Sequence, residues 1–227
     1  MKLLAFESGG PRCSVALADD TGPVGSWDGD LGNAVAGPML TAANGLLGVA
    51  ELGLWDIDVF AACVGPGSFT GIKIAVTLAK TLAQALSAPV VGVGALDVLA
   101  SDLRASGPVA ALLPSKTGWV YLGRFDGGQP LDEGRTMPIG DVFAELAAWT
   151  TEDGLIVGPV ELPEVPDNWE HVAYTYPSAT GTARLAMQVA AAGNAGKPVE
   201  LLPRYIASFS ISKPKRPLSA MDDGARK

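Results

Sequence analysis

The stretch Val64-Gly65-Pro66-Gly67-Ser68-Phe69-Thr70-Gly71-Ile72-Lys73 joins an apolar run to a helical one. Such a junction can turn backbone N–H groups and a helix dipole toward an anion, so one reading is a phosphate cradle. The spacing fits neither standard form. A dinucleotide fingerprint needs Gly-x-Gly-x-x-Gly, whereas three residues separate Gly67 from Gly71; a P-loop needs Gly-Lys-Ser/Thr, whereas Gly71 is followed by Ile72 and Lys73. The favoured reading is a tight corner whose glycines permit positive φ and whose Ser68 or Thr70 caps the helix.

Other chemistry-bearing residues are sparse. In phosphotransferases built from duplicated βββαβα halves, an N-terminal hairpin carries an Asp that handles Mg²⁺; here Glu7 holds that place, before Ser8-Gly9-Gly10. Glutamate reaches one methylene further, so metal geometry set for Asp is not kept and the hairpin reads as structural. No Gly-x-Ser-x-Gly elbow occurs, and His171 sits in a polar–apolar alternation that predicts a half-exposed rim strand. One histidine excludes a multi-histidine metal site. Cys13 and Cys63 lack Cys-x-x-Cys spacing and lie in apolar strands, so they read as small core residues in a reducing compartment rather than as zinc ligands or redox centres. The expectation is no catalytic residue, no metal and no cofactor.

The elements that must position these residues alternate in type. Apolar runs at 3–6, 13–18 and 24–27, separated by turn residues, predict an antiparallel meander; a helix at 33–49, a strand at 59–64, the loop 65–71, a helix to about 86, a strand at 89–93 and a helix at 96–103 follow. The second half repeats this more faintly, with strands at 109–113 and 119–125, a helix at 139–149, a strand at 155–157 and a helix at 182–192. The fold class expected is α/β, a duplicated βββαβα unit in two lobes, 1–105 and 106–211, with a basic tail at 212–227. That tail carries Lys213, Lys215, Arg216, Arg226 and Lys227; without it the body holds 11 basic and 22 acidic residues and stands at −11, against −8 for all 227 residues. An acidic body is a poor nucleic-acid binder on its own. The twenty uncharged residues at 31–50 reach nominal membrane-spanning length, but Asn33, Pro38, Thr41, Asn44 and four glycines argue against a span, and Glu7 stops any export signal early. A cytoplasmic protein is expected.

Charge is missing from two helices. The first, 33–49, has no ionisable residue, and the second has only Lys73 and Lys80. A helix covering a sheet in a monomer normally has a charged outer face. Gly37, Thr41 and Gly45 make one small-residue ridge on the first helix. On the second, Ile74, Leu78, Leu82 and Leu86 form the ridge expected against the sheet, with Val76, Ala79 and Ala83 beyond it. Either another part of this chain covers both helices or another protein does, and the second reading is favoured.

These features together resemble the TsaB (YeaZ) family, the bacterial partner proteins for threonylcarbamoyl-adenosine formation in tRNA. Phe6-Glu7-Ser8 and Cys13-Ser14-Val15-Ala16-Leu17 match its first two strands, Gly65 to Lys73 its hallmark Gly-Pro-Gly-Ser-Phe-Thr-Gly-[Ile/Val]-Arg, and Pro89 to Leu96 the following strand; Pro203-Arg204-Tyr205-Ile206 is similar to its closing segment. The match covers about residues 1–100 and weakens beyond. The resemblance implies an actin/Hsp70-like (ASKHA) fold, no independent catalysis, and pairing with the catalytic paralogue TsaD through the first two helices, joined by the ATPase TsaE, with a homodimer when alone and tRNA met only indirectly. The partner face it implies comprises Gly37, Thr41, Asn44, Gly45, Gly48, Lys73, Val76, Thr77 and Lys80, beside the motif loop Gly65, Pro66, Gly67, Ser68, Phe69, Thr70 and Gly71. Departures from the family pattern are Glu7-Ser8 for Asp-Thr, Gly32-Asn33 for a histidine, Lys73 for arginine and Pro114-Ser115-Lys116 for Asp-Ala-Arg, which mark a divergent member. The alternative is a small ATP-dependent phosphotransferase of the same superfold.

Overall fold

Two sheets with one connectivity organise the chain. The computed structural model describes residues 1–30, 36–103, 105–173 and 176–206. The first sheet runs β3 (Gly22–Gly29), β2 (Cys13–Asp19), β1 (Leu3–Glu7), β4 (Val59–Cys63), β5 (Val90–Val93). The first two pairings are antiparallel and the last two parallel. Every residue of β1 and β4 is buried, as expected for strands covered on both faces, whereas the edge strand β3 alternates between half-buried and exposed positions.

The second sheet repeats this path. β6 (Val109–Pro114) pairs antiparallel with β7 (Trp119–Asp126) and parallel with β10 (Gly154–Gly158), which pairs parallel with β11 (Trp169–Ala173). The counterpart of β3 is split into β8 (Gln129–Pro130) and β9 (Arg135–Pro138), both on β7. One difference from the sequence reading stands out. The expected helix at 139–149 opens as one 3-10 turn, Ile139–Asp141, before α4 (Val142–Trp149). No helix lies between β10 and β11, where Pro159, Pro163 and Pro166 remove backbone donors, and the helix expected at 182–192 is present after β11 as α5 (Ala179–Ala191).

The helices form three layers around the sheets. α1 (Ala36–Val49) and α2 (Phe69–Leu86) cover the outer face of the first sheet, and α4 covers the outer face of the second, where Leu146 and Val142 pack with Ile156 and Leu112. Residues 33–35 of the expected first helix lie outside the described residues. Between the sheets the halves exchange helices. α3 (Ala95–Leu103), from the first half, places Leu96, Leu99 and Ala100 against Val109, Ala111 and Val157 of the second sheet. α5, from the second half and beyond the expected boundary at 106, places Ala179, Ala183 and Ala186 against Leu3, Ala5 and Ala61 of the first.

α2 is rotated relative to expectation. Gly71, Ala75, Ala79 and Ala83 form its buried edge with Ile72 and Val76, while Ile74, Leu78, Leu82 and Leu86 are half-buried at its margin. The reason is a backbone contact. A Cβ on Gly71 would lie 1.7 Å from the Ser8 carbonyl oxygen, and the Ser8 hydroxyl donates to the Gly71 carbonyl at 2.8 Å. Close approach of the helix start to the hairpin turns the small ridge inward.

Candidate functional site

The motif loop is a self-satisfied corner. Ser68 is the N-cap of α2, its hydroxyl accepting from the Gly71 amide at 3.3 Å, which realises the capping reading. The Ser68 amide donates to the Gly9 carbonyl at 2.7 Å, the Ile72 amide to the Ser68 carbonyl, and the Gly9 amide to Glu7 Oε1 at 2.6 Å. Donors that a phosphate would need at Gly9, Ser68, Gly71 and Ile72 are therefore consumed internally. Gly67 lies so close to the hairpin that a Cβ there would sit 2.6 Å from the Gly9 oxygen. Gly71→Ala, whose methyl meets backbone rather than a movable side chain, is expected to destabilise the chain by about 3 kcal/mol in a denaturant titration; an unchanged midpoint would show that the helix can lift off the hairpin freely.

Glu7 stands at the floor of the corner. It is only 2% exposed, and burial, with a contribution from Asp28, pushes its carboxyl up to about 8, partly opposed by the amides of Gly9 and Gly10. A carboxyl protonated at neutral pH is a donor, not a cation ligand. Among the described residues no group of three or more His, Cys, Asp or Glu could hold a metal ion. Burial raises both cysteine thiols, which keeps them protonated and inert. His171 lies on the edge strand β11, half-buried, with a buried Nε2 that has no hydrogen-bond partner among the described residues.

A short C-terminal strap holds the loop from outside. The Arg204 amide donates to the Val64 carbonyl at 2.8 Å, and its guanidinium donates to the Glu133 carbonyl in the second half. Tyr205 meets the Phe69 ring at 5.4 Å between centroids, and the Lys73 ammonium sits 3.7 Å above the same ring. Lys80 donates to the carbonyls of Val199 and Leu201 at 3.1 and 3.3 Å. Both cations of α2 thus bind the chain's own aromatic and carbonyl groups. Phe69 lies one helical turn before Lys73, whereas the partners of Lys80 lie far along the sequence, which is why the spacing on α2 could not reveal them.

The outer helices present the other candidate surface. Gly37, Thr41, Asn44, Gly45 and Gly48 are all exposed on α1, and Thr77 and Lys73 are exposed on α2. Val76 is not on this face; at 5% exposure it belongs to the core beneath. Exposed Leu40 and Val49, which the sequence reading passed over, extend the face, as does an apolar groove of about 400 Å³ between α1 and β3 bounded by Val24, Trp27, Leu46 and Val49. Nothing in the described chain lies over the α1 glycines: a Cβ built on Gly37, Gly45 or Gly48 meets no atom within 4 Å. None of the three has a positive φ either. The fold itself has no use for glycine there.

Comparisons with known proteins place this geometry. Residues 38–203 match the model of the family described as TsaD, tRNA N6-adenosine threonylcarbamoyltransferase. The chain is 29% identical over 126 residues to the tRNA threonylcarbamoyladenosine biosynthesis protein TsaB of Bacillus subtilis (strain 168), covering 55% of each chain. It is 32% identical over 124 residues to the protein of the same name from Escherichia coli (strain K12), covering 53% of each. The chain thus spans about half the length of these curated relatives. Among solved structures, YeaZ from Pseudomonas aeruginosa superposes with a TM-score of 0.77 at 28% identity, over 90% of this chain and 99% of that one. The shared fold is of the actin/Hsp70-like (ASKHA) type.

Proposed function

Because the chain belongs to the TsaB/YeaZ branch of the TsaD family, we propose that it is a non-catalytic subunit in the formation of threonylcarbamoyladenosine in tRNA, docking through α1 and α2 onto a TsaD-type catalytic paralogue. A TsaE-type ATPase joins the pair, and tRNA is met mainly by the partners, because the body carries excess acid. Among the described residues no helix is long and apolar enough to cross a membrane.

The observation that carries this reading is the exposed α1 ridge of Gly37, Thr41, Gly45 and Gly48. Glycine inside a helix costs roughly 0.5–1 kcal/mol relative to alanine. Three glycines that no intramolecular contact requires leave room for a second helix to approach closely. The alternative, a phosphotransferase, draws no comparable support: the amides that would cradle phosphate are taken, and Glu7 is buried as an acid.

The test is light scattering on a size-exclusion column, with this chain alone and mixed with the TsaD-type paralogue from the same cell. A one-to-one complex is expected. Thr41→Arg, which places a long cation at the centre of the exposed ridge, is expected to weaken pairing at least hundredfold and to leave the fold intact by circular dichroism. A chain that never binds the paralogue, or a Thr41→Arg variant that binds unchanged, would sink the reading.

A further inference from the structure

A cavity of about 260 Å³ lies in the cleft between the two halves, away from the α1 and α2 face. Glu7, Gly9 and Ser68 line it from the first half, and Leu113, Ser115 and Tyr176 from the second. Its volume falls below the roughly 300–1,000 Å³ of pockets that hold drug-sized ligands, so it suits a single ring or amide-sized molecule. Four prolines and the Tyr176 ring make most of the wall apolar, and no lysine, arginine or histidine is among the residues that line it.

We propose that this cleft is a binding site for a small uncharged molecule carrying an amide or similar hydrogen-bond acceptor, and that it rejects anions. Three features set that chemistry. A phosphate or carboxylate would find no cation in the lining, and the nearby amides of Gly9, Ser68, Gly71 and Ile72 already have acceptors. Glu7 is the one ionisable carboxyl of the lining, and it accepts from the amides of Gly9 and Gly10. The charged group that acts on it is Asp28 on β3, which opposes a negative charge at Glu7, while the thiols of Cys13 on β2 and Cys63 on β4 are themselves raised by burial and by Glu7 and stay neutral. The acid therefore offers an O–H to whatever enters, and a neutral acceptor completes it where a second anion would be repelled.

The pair benzamide and benzoate separates these chemistries at almost constant shape. Ligand-observed NMR titrations of the full chain at pH 6.5 are expected to show millimolar benzamide binding and at least tenfold weaker benzoate binding. Raising the pH to 9 ionises Glu7 and should weaken benzamide about tenfold, whereas in Glu7→Gln, which is neutral throughout, the affinity should not change with pH. Ser115→Trp, filling the mouth, should abolish binding in a chain whose circular dichroism is unaltered. Equal binding of benzoate or inorganic phosphate would overturn the proposal, as would absence of benzamide binding by both the native chain and Glu7→Gln, or a pH dependence that persists in Glu7→Gln. None of these outcomes bears on docking through α1 and α2.

Discussion

Replacing Gly37, Gly45 and Gly48 together by alanine is expected to make the isolated chain more stable and at the same time to abolish its pairing. Alanine restricts the unfolded backbone and fills only open space on α1, so each interior position gains up to about 1 kcal/mol and the end positions less, roughly 1–2 kcal/mol in sum. For a chain of this length that is a rise in Tm of about 3–6 °C. The same three methyl groups stand where a partner helix would lie closest, and a fall in affinity of at least hundredfold is expected in an isothermal titration with the paralogue. The two effects have opposite signs, which a merely structural role of the glycines cannot produce. Stabilisation with unimpaired pairing would remove α1 from the interface; destabilisation would show that the glycines serve the fold after all.

The second large effect is a pH dependence of stability centred on Glu7. Its carboxyl holds a proton up to about 8 in the folded chain, against 4.5 for an ordinary glutamate side chain. Folding is therefore favoured by the protonated acid below about pH 4.5, and that advantage is lost as pH rises toward 8, because the unfolded chain releases the proton first. The slope in this window is about 1.4 kcal/mol per pH unit, or about 3 kcal/mol between pH 4.5 and 7. Glu7→Gln keeps an acceptor for the Gly9 amide and carries no charge. Urea denaturation of the two proteins is expected to give near-equal stabilities at pH 4 and a variant more stable by about 3 kcal/mol at pH 7. Parallel pH profiles would mean that the carboxylate is solvated in the folded chain.

The sequence was most informative where its signals are local. The apolar helical run narrowed the N-cap to Ser68 or Thr70, of which the fold uses Ser68, and the turn residues between 7 and 24 delimited the meander. It was least informative where distant segments decide the outcome. The apolar ridge Ile74, Leu78, Leu82, Leu86 and the small ridge Gly71, Ala75, Ala79, Ala83 are both regular; only contact with Ser8, more than sixty residues earlier, selects the small one for the sheet. Val76 was misplaced on the docking face for the same reason. An amphipathic pattern likewise tells that α3 and α5 each bury one side, but not that each buries it on the other half's sheet. Tyr176 and Ser115 could not be linked to Glu7 because they meet it only across the cleft.

The exchange of α3 and α5 also governs how the chain can be made. β1 leaves the ribosome within the first ten residues, but the helix that covers its inner side is encoded by Ala179–Ala191. At about 5–20 residues per second, the first sheet, complete at Val93, must wait on the order of five to twenty seconds with that side bare. Leu3, Ala5 and Ala61 are then sticky surface on a nascent chain rather than core. Synthesis and folding are thereby kept out of step: the N-terminal half can collapse early, yet it closes only when α5 arrives.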